Sequence, residues 1–129
     1  MKRFDERKVD YHNAVLRLQE AIIKNPSNLE VDGLLHRFEF TFELAWKTVK
    51  DYLEYMGFTQ KIGSPREVIQ TAFKQGIIED GKQWIDMMLS RNALSHLYDE
   101  EESRKIYNKV QMSYVSLLKE LDEKFENIL

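Results

Sequence analysis

The sequence contains no cysteine, which excludes disulfide staples and thiolate metal sites alike. Proline and glycine are scarce, at two and five residues, and nearly all of them fall between periodic segments, where helices end. No apolar run approaches the roughly 18 residues that a membrane span needs. The opening Met1-Lys2-Arg3-Phe4-Asp5-Glu6 turns charged at once, without the apolar stretch of an export signal. A cytoplasmic protein with no membrane contact is therefore expected. Charge of one sign is lacking too. A formal net charge of −3 exerts no global pull on nucleic acid, so any RNA contact must come from a local cluster of Arg and Lys. No internal repeat, low-complexity segment or persuasive strand is present.

What is present is an ordinary globular composition, 43% hydrophobic and 32% charged, over 129 residues; that is enough for one domain, 1–129, with a real core. Five helical stretches are predicted. The first, residues 5–24, puts Tyr11, Ala14, Val15, Leu18 and Ile22 on one stripe before Asn25-Pro26-Ser27 breaks it. Ser27 and Glu30 then form a capping box. The second helix, 28–56, carries a wide aromatic-rich stripe through Leu34, Leu35, Phe38, Phe42, Ala45, Trp46, Val49, Leu53 and Met56, and Gly57 ends it. Ser64-Pro65-Arg66-Glu67 starts a short third helix that stops at Gly76. Asp80 or Gly81 opens the fourth, with Trp84, Ile85, Met88 and Leu89 inward. The fifth, 99–127, is capped by Asp99 and Glu102, with Ile106, Val110, Tyr114, Leu117, Leu118, Leu121, Phe125 and Ile128 in register.

These elements predict an all-α antiparallel, up-down four-helix bundle with one extra short helix. Two features point to a homodimer. The fifth helix repeats its apolar positions almost by heptads, as a packing seam does. The second has apolar residues beyond one stripe, Phe40 and Leu44 beside Phe38, Phe42 and Trp46. The competing reading is that these aromatics fill a single monomer core.

The segment Ser90-Arg91-Asn92-Ala93-Leu94-Ser95-His96-Leu97-Tyr98 gathers chemistry at one helix end. A guanidinium presents N–H donors in a fork that suits phosphate. An imidazole exchanges protons near neutral pH and serves as general acid or base. Together they suffice for metal-independent RNA cleavage, with His96 activating the ribose 2′-OH and Arg91 stabilising charge at phosphorus. On a continuous helix Asn92 and His96 lie one turn apart, whereas Arg91 and His96 are about 140° out of phase. One copy has difficulty closing both on one phosphate, and a two-fold axis beside this helix would complete the site. Spacing alone is not selective, because Arg7 and His12 repeat it. The bland alternative is that Arg91 and His96 simply end a helix, where positive charge suits the dipole.

Other polar residues weigh less. Glu39 and Glu43 lie one turn apart and are candidate contributors to the Arg91 region, although an ion pair with Arg37 or Lys47 accounts for them equally simply. His12 and His36 lie too far apart, with no paired acidic ligand at helical spacing, so neither a metal site nor a cofactor is expected. The run Asp99-Glu100-Glu101-Glu102 stabilises the start of the last helix and repels RNA.

The segment Arg91-Asn92-x-x-x-His96-x-Tyr98 resembles the extended HEPN signature. Arg37-Phe38-Glu39-Phe40-Thr41-Phe42-Glu43-Leu44-Ala45-Trp46-Lys47 is similar to the hallmark stretch of nucleotidyltransferase substrate-binding proteins. So is Ser64-Pro65-Arg66-Glu67 with Ala72-Phe73 and Gly76, and the likeness runs in order along nearly the whole chain. It implies a dimeric HEPN-like bundle whose partner is a minimal nucleotidyltransferase encoded as a separate chain. On one implied reading this chain is the substrate-binding subunit of a two-component nucleotidyltransferase. On the other it is a ribonuclease toxin of a toxin–antitoxin pair, with Arg91 and His96 catalytic, Asn92 and Ser95 supporting, and silencing by AMP addition at Tyr98. The chain is not itself the nucleotidyltransferase: Gly63-Ser64 runs straight into Pro65, and no Asp-x-Asp exists for two metal ions.

Overall fold

The computed structural model describes residues 2–58, 62–96 and 99–128, and among these every regular element is helical. Helix α1 spans Lys2–Glu20, α2 Asn28–Tyr55, α3 Pro65–Lys74 and α4 Gly81–Ala93. A 3₁₀ turn, Leu94–His96, follows α4. Helix α5 (Glu100–Lys109) passes through a π-helical turn at Val110–Tyr114 into α6 (Val115–Glu126), so the last three segments form one continuous rod.

Local chemistry sets the starts. Ser27 and Ser64 each accept from the backbone N–H three residues on, and Glu30 and Glu67 reach back to the cap N–H, two complete capping boxes. Asp80 and Asp99 cap α4 and α5. Gly57 and Gly76 take φ values of 92° and 76°, the left-handed conformation that releases a chain from a helix without a Cβ penalty. Helix α1 ends at Glu20, short of the expected 24. There the Tyr107 hydroxyl both accepts from the Ile23 N–H and donates to the Ile23 carbonyl, holding a turn that Asn25 completes at φ 51°.

Cross-helix pairs fix the directions. Against α2, α1 pairs Arg7 with Asp51, Ala14 with Thr41 and Arg17 with Arg37. Against the last rod Tyr11 pairs with Leu118, Lys8 with Ile128 just beyond the rod's end, and Ile23, in the turn after α1, with Tyr107. Numbers rise on one side as they fall on the other, so α1 is antiparallel to both. The result is the anticipated up-down bundle of α1, α2, α4 and the α5–α6 rod, with α3 as the short addition. Phe38, Phe42, Ala45, Val49 and Leu53 of α2 run through its centre.

The register of the last rod corrects one expectation. Ile106, Val110, Tyr114 and Leu118 are all buried in the monomer, as are Leu121 and Phe125, so this seam serves the bundle's own core. Three successive four-residue steps drift by about 40° each on a regular helix. The π turn, in which the Val115 N–H reaches back to the Val110 carbonyl, widens locally and keeps the stripe inward. On α4, Met87 is buried with Trp84 and Met88, whereas Leu89 is 50% exposed rather than inward. On α2, Phe40 is left 58% exposed between its buried neighbours Phe38 and Phe42. Trp46 is half-buried against the core.

One buried ion pair has a measurable signature. Asp51 has a side chain only 9% exposed; Arg7 Nε lies 3.3 Å from its Oδ2, off the line a hydrogen bond needs. Burial raises the Asp51 carboxyl above its ordinary 3.8, and Arg7 offsets only part of that. A carboxyl whose folded pKa is raised binds its proton more tightly folded than unfolded. Its stabilising share is therefore complete below 3.8 and is lost as pH rises through the folded value. Asp51→Asn is expected to raise the unfolding midpoint at pH 7, with the gap to wild type closing as pH falls through that window. Urea titrations at stepped pH check this, and a variant less stable at pH 7 contradicts it.

Candidate functional site

Helix α4 delivers Arg91 to α2. The Arg91 Nη2 lies 2.9 Å from Glu43 Oε1, with both side chains 29% exposed. Glu43 is itself held, since its Oε2 accepts from Trp46 Nε1 at 3.2 Å and lies 3.8 Å from Lys47 Nζ. The carboxylate thus serves the core tryptophan, a lysine and the candidate arginine together. The Arg91 Nε is buried and meets no hydrogen-bond acceptor among the described residues. Glu39, the other candidate carboxylate on α2, is half-buried and forms no ion pair among them.

Beyond Ala93 the helix tightens to 3₁₀ geometry, so the angles of a continuous α-helix do not carry through to His96. Ser95 Oγ donates to the Asn92 carbonyl at 2.9 Å and holds that turn. Asn92, Ser95 and His96 are exposed, and no hydrogen bond joins His96 to Arg91 among the described residues. Tyr98 lies outside the described residues. The acidic run after it behaves as a helix start, with Asp99 Oδ1 accepting from the Glu101 N–H and Glu102 paired with Lys105.

A second layer, absent from the sequence reading, sits behind Arg91. Tyr114, in the π turn, is 1% exposed and stacks on Phe38 at 5.6 Å between centroids. Its hydroxyl donates to the Asp86 carboxylate. That uses its single hydrogen, so the buried Ser90 Oγ, 2.8 Å away, must be the donor in their contact. Burial, with the bond to Asp86 next, pushes the Tyr114 phenol far above its ordinary range, and it stays neutral. Lys109 Nζ stands 3.7 Å from the same Asp86 oxygen. Ser90 directly precedes Arg91, so this network fixes the α4 turn that aims the guanidinium. The repeated four-residue spacing around Tyr114 was the available sequence signal.

The fold is matched in other proteins. Residues 6–127 match the family model described as nucleotidyltransferase substrate binding protein like. The chain belongs to that family. A crystal structure of a protein from Thermus thermophilus superposes with TM-score 0.81 at 29% identity, covering 89% of this chain and 98% of that one. A Haemophilus influenzae structure, described as revealing the fold of a substrate binding domain of a nucleotidyltransferase, superposes at TM-score 0.71. It is 20% identical and covers 97% of this chain and 98% of its own, a likeness of fold. In sequence, 83 residues are 30% identical to the Haemophilus influenzae protein named "Probable ribonuclease HepT". That match spans 62% of this chain and 57% of the relative's length. Of these similar proteins, one is thus described as a substrate binding domain of a nucleotidyltransferase and another as a probable ribonuclease. No described helix of this chain is long and apolar enough to cross a membrane.

Proposed function

We propose that this chain is a metal-independent endoribonuclease that works as a homodimer and is silenced by a separately encoded minimal nucleotidyltransferase, as in a toxin–antitoxin pair. The observation that carries the reading is the exposure of His96 on a turn beside an anchored Arg91. Burial of His96 under the last helix would favour the binding reading instead, and His96 is exposed. An exposed imidazole next to a positioned guanidinium is what an incoming phosphodiester requires. His96 takes the ribose 2′-OH proton, and the 2′-oxygen attacks phosphorus. The bond from phosphorus to the 5′-oxygen breaks, that oxygen gains a proton, and a 2′,3′-cyclic phosphate remains. Arg91 balances the charge that builds on the phosphoryl oxygens. Asn92 and Ser95 support the turn. Transfer of AMP to the Tyr98 hydroxyl, seven residues after Arg91, adds a phosphate that competes for the same donors.

The dimer rests on the α2 surface. Phe40 (58% exposed) and Leu44 share a helix face with Glu43 and border a cleft of about 360 Å³ that Arg17, His36 and Arg37 also line. Pairing two copies there covers the exposed aromatic and brings two Arg91 regions toward one axis. Phe40→Asp is expected to yield a folded monomer by analytical ultracentrifugation, with RNA cleavage lost. A Phe40→Asp protein that remains dimeric removes this face from the proposal.

The primary test is cleavage of single-stranded RNA in EDTA by protein whose intact mass shows no modification. Cleavage that stops after incubation with the nucleotidyltransferase and ATP, with AMP mapped to Tyr98, is the expected result. No cleavage by unmodified dimer overturns the reading. It leaves the non-catalytic substrate-binding subunit, which the family description favours.

A further inference from the structure

A second cluster of chemistry joins the first helix of the bundle to the last. His12 Nδ1 on α1 lies 2.8 Å from Asp122 Oδ2 and 3.0 Å from Glu126 Oε1, two carboxylates one turn apart on α6. Ligand atoms from all three residues fall within 4.8 Å of one another. We propose that His12, Asp122 and Glu126 form a binding site for a first-row divalent cation of the zinc class, clamping α1 to α6.

The plain alternative is an ion pair, and the geometry weighs against that as the whole account. Both carboxylate oxygens approach the same ring nitrogen, and its one N–H can be aimed well at only one of them. Lys8, one turn before His12 on α1, does not supply the missing charge. Its Nζ donates to the Ile128 carbonyl at 3.1 Å and stands 3.7 Å from Asp5. A divalent ion in place of that proton engages all three donors at once. One imidazole and two carboxylates are a donor set that zinc accepts, at about 2.0–2.2 Å, with water completing the tetrahedron. Ligand atoms around such an ion stand about 3.3 Å apart, as follows from those bond lengths. The contacts of 2.8 and 3.0 Å therefore need to widen by only a few tenths of an ångström. Glu126, 57% exposed, is free to move that far, while Asp122, 9% exposed, supplies the fixed point. The sequence reading missed the site because it sought acidic ligands on the histidine's own helix, whereas these lie 110 and more residues away.

The test uses the full chain, stripped with chelator and returned to chelator-free buffer. Zinc chloride is titrated by calorimetry, and cobalt(II) by its visible absorption, which reports four-coordination. One equivalent of zinc per chain is expected, with a rise in the thermal midpoint. Glu126→Gln keeps the shape of an exposed side chain and should weaken binding by at least about 10–100-fold, the loss seen when even an outer-shell partner is removed. His12→Gln should abolish the cobalt spectrum, whereas His36→Gln should leave it intact. Unchanged binding in both His12→Gln and Glu126→Gln, or no saturable binding by the wild type, reduces the cluster to an ion pair and overturns the proposal. RNA cleavage is assayed in EDTA, so neither result bears on the other.

Discussion

His96→Ala lowers the rate of RNA cleavage by about 10²–10⁴-fold, the contribution of a positioned general acid–base. Arg91→Ala lowers it by about 10²–10³-fold, as when one charge-stabilising donor is lost. The double variant is no slower than the product of the two and is expected to be faster, because residues acting on one transition state are not additive. Glu43→Gln gives a smaller loss, since its single amide oxygen still accepts from Arg91 but without charge to hold it, while Trp46 Nε1 loses its acceptor. The urea midpoint of the variant separates the two effects. The Arg91–Glu43 pair, 2.9 Å apart and 29% exposed on both sides, is screened by water and worth about 0–1 kcal/mol to the fold. His96 is exposed, so its truncation also leaves stability nearly unchanged. Rates are compared at matched dimer content by initial-rate assays on one labelled RNA. Wild-type cleavage by His96→Ala would sink the assigned chemistry, even if the protein proves to be a ribonuclease by another route.

How much of this is legible from residues alone follows the range of the interactions. Ser27–Glu30 and Ser64–Glu67 act across three positions, and both capping boxes are found where the pattern puts them. The end of α1 is not, because Tyr107, 84 positions from Ile23, decides it. Heptad-like spacing in the last helix reads as a dimer seam. Yet three steps of four between Ile106 and Leu118 also describe a core stripe with a widened turn, and only the packing against Phe38 distinguishes the two. At the site, Arg91 is selected by its neighbours in sequence, and Glu43 is among its candidate partners. Asp86, Ser90 and Tyr114 go unassigned because their roles arise from contacts 24 and 28 positions apart. Sequence thus identifies groups able to do chemistry, and tertiary structure supplies what holds them.

Phe38→Ala is expected to cost about 3–5 kcal/mol, the range for removing a fully buried aromatic. Against a total of about 5–15 kcal/mol for a domain, that is a large share. The cause is specific to this position. Phe38 is 0% exposed and stacks on Tyr114 at an interplanar angle of 15°, so its loss opens a cavity beside the π turn. Tyr114→Phe keeps the ring and removes only the hydroxyl. Asp86, 53% exposed at its side chain, regains water, and Ser90 can turn to a backbone carbonyl one turn back. The expected cost is about 0.5–1.5 kcal/mol, that of one hydrogen bond. The two substitutions should couple, because the cavity left by Phe38→Ala loosens the ring that presents the hydroxyl. Urea denaturation of both single variants and the double measures the three costs. A Phe38→Ala cost below that of Tyr114→Phe would mean that the stack is not part of the core. Phe38→Leu refills much of the volume and should recover most of the stability. If it restores stability without restoring cleavage, the aromatic stack itself, through Tyr114 and Ser90, sets the position of Arg91.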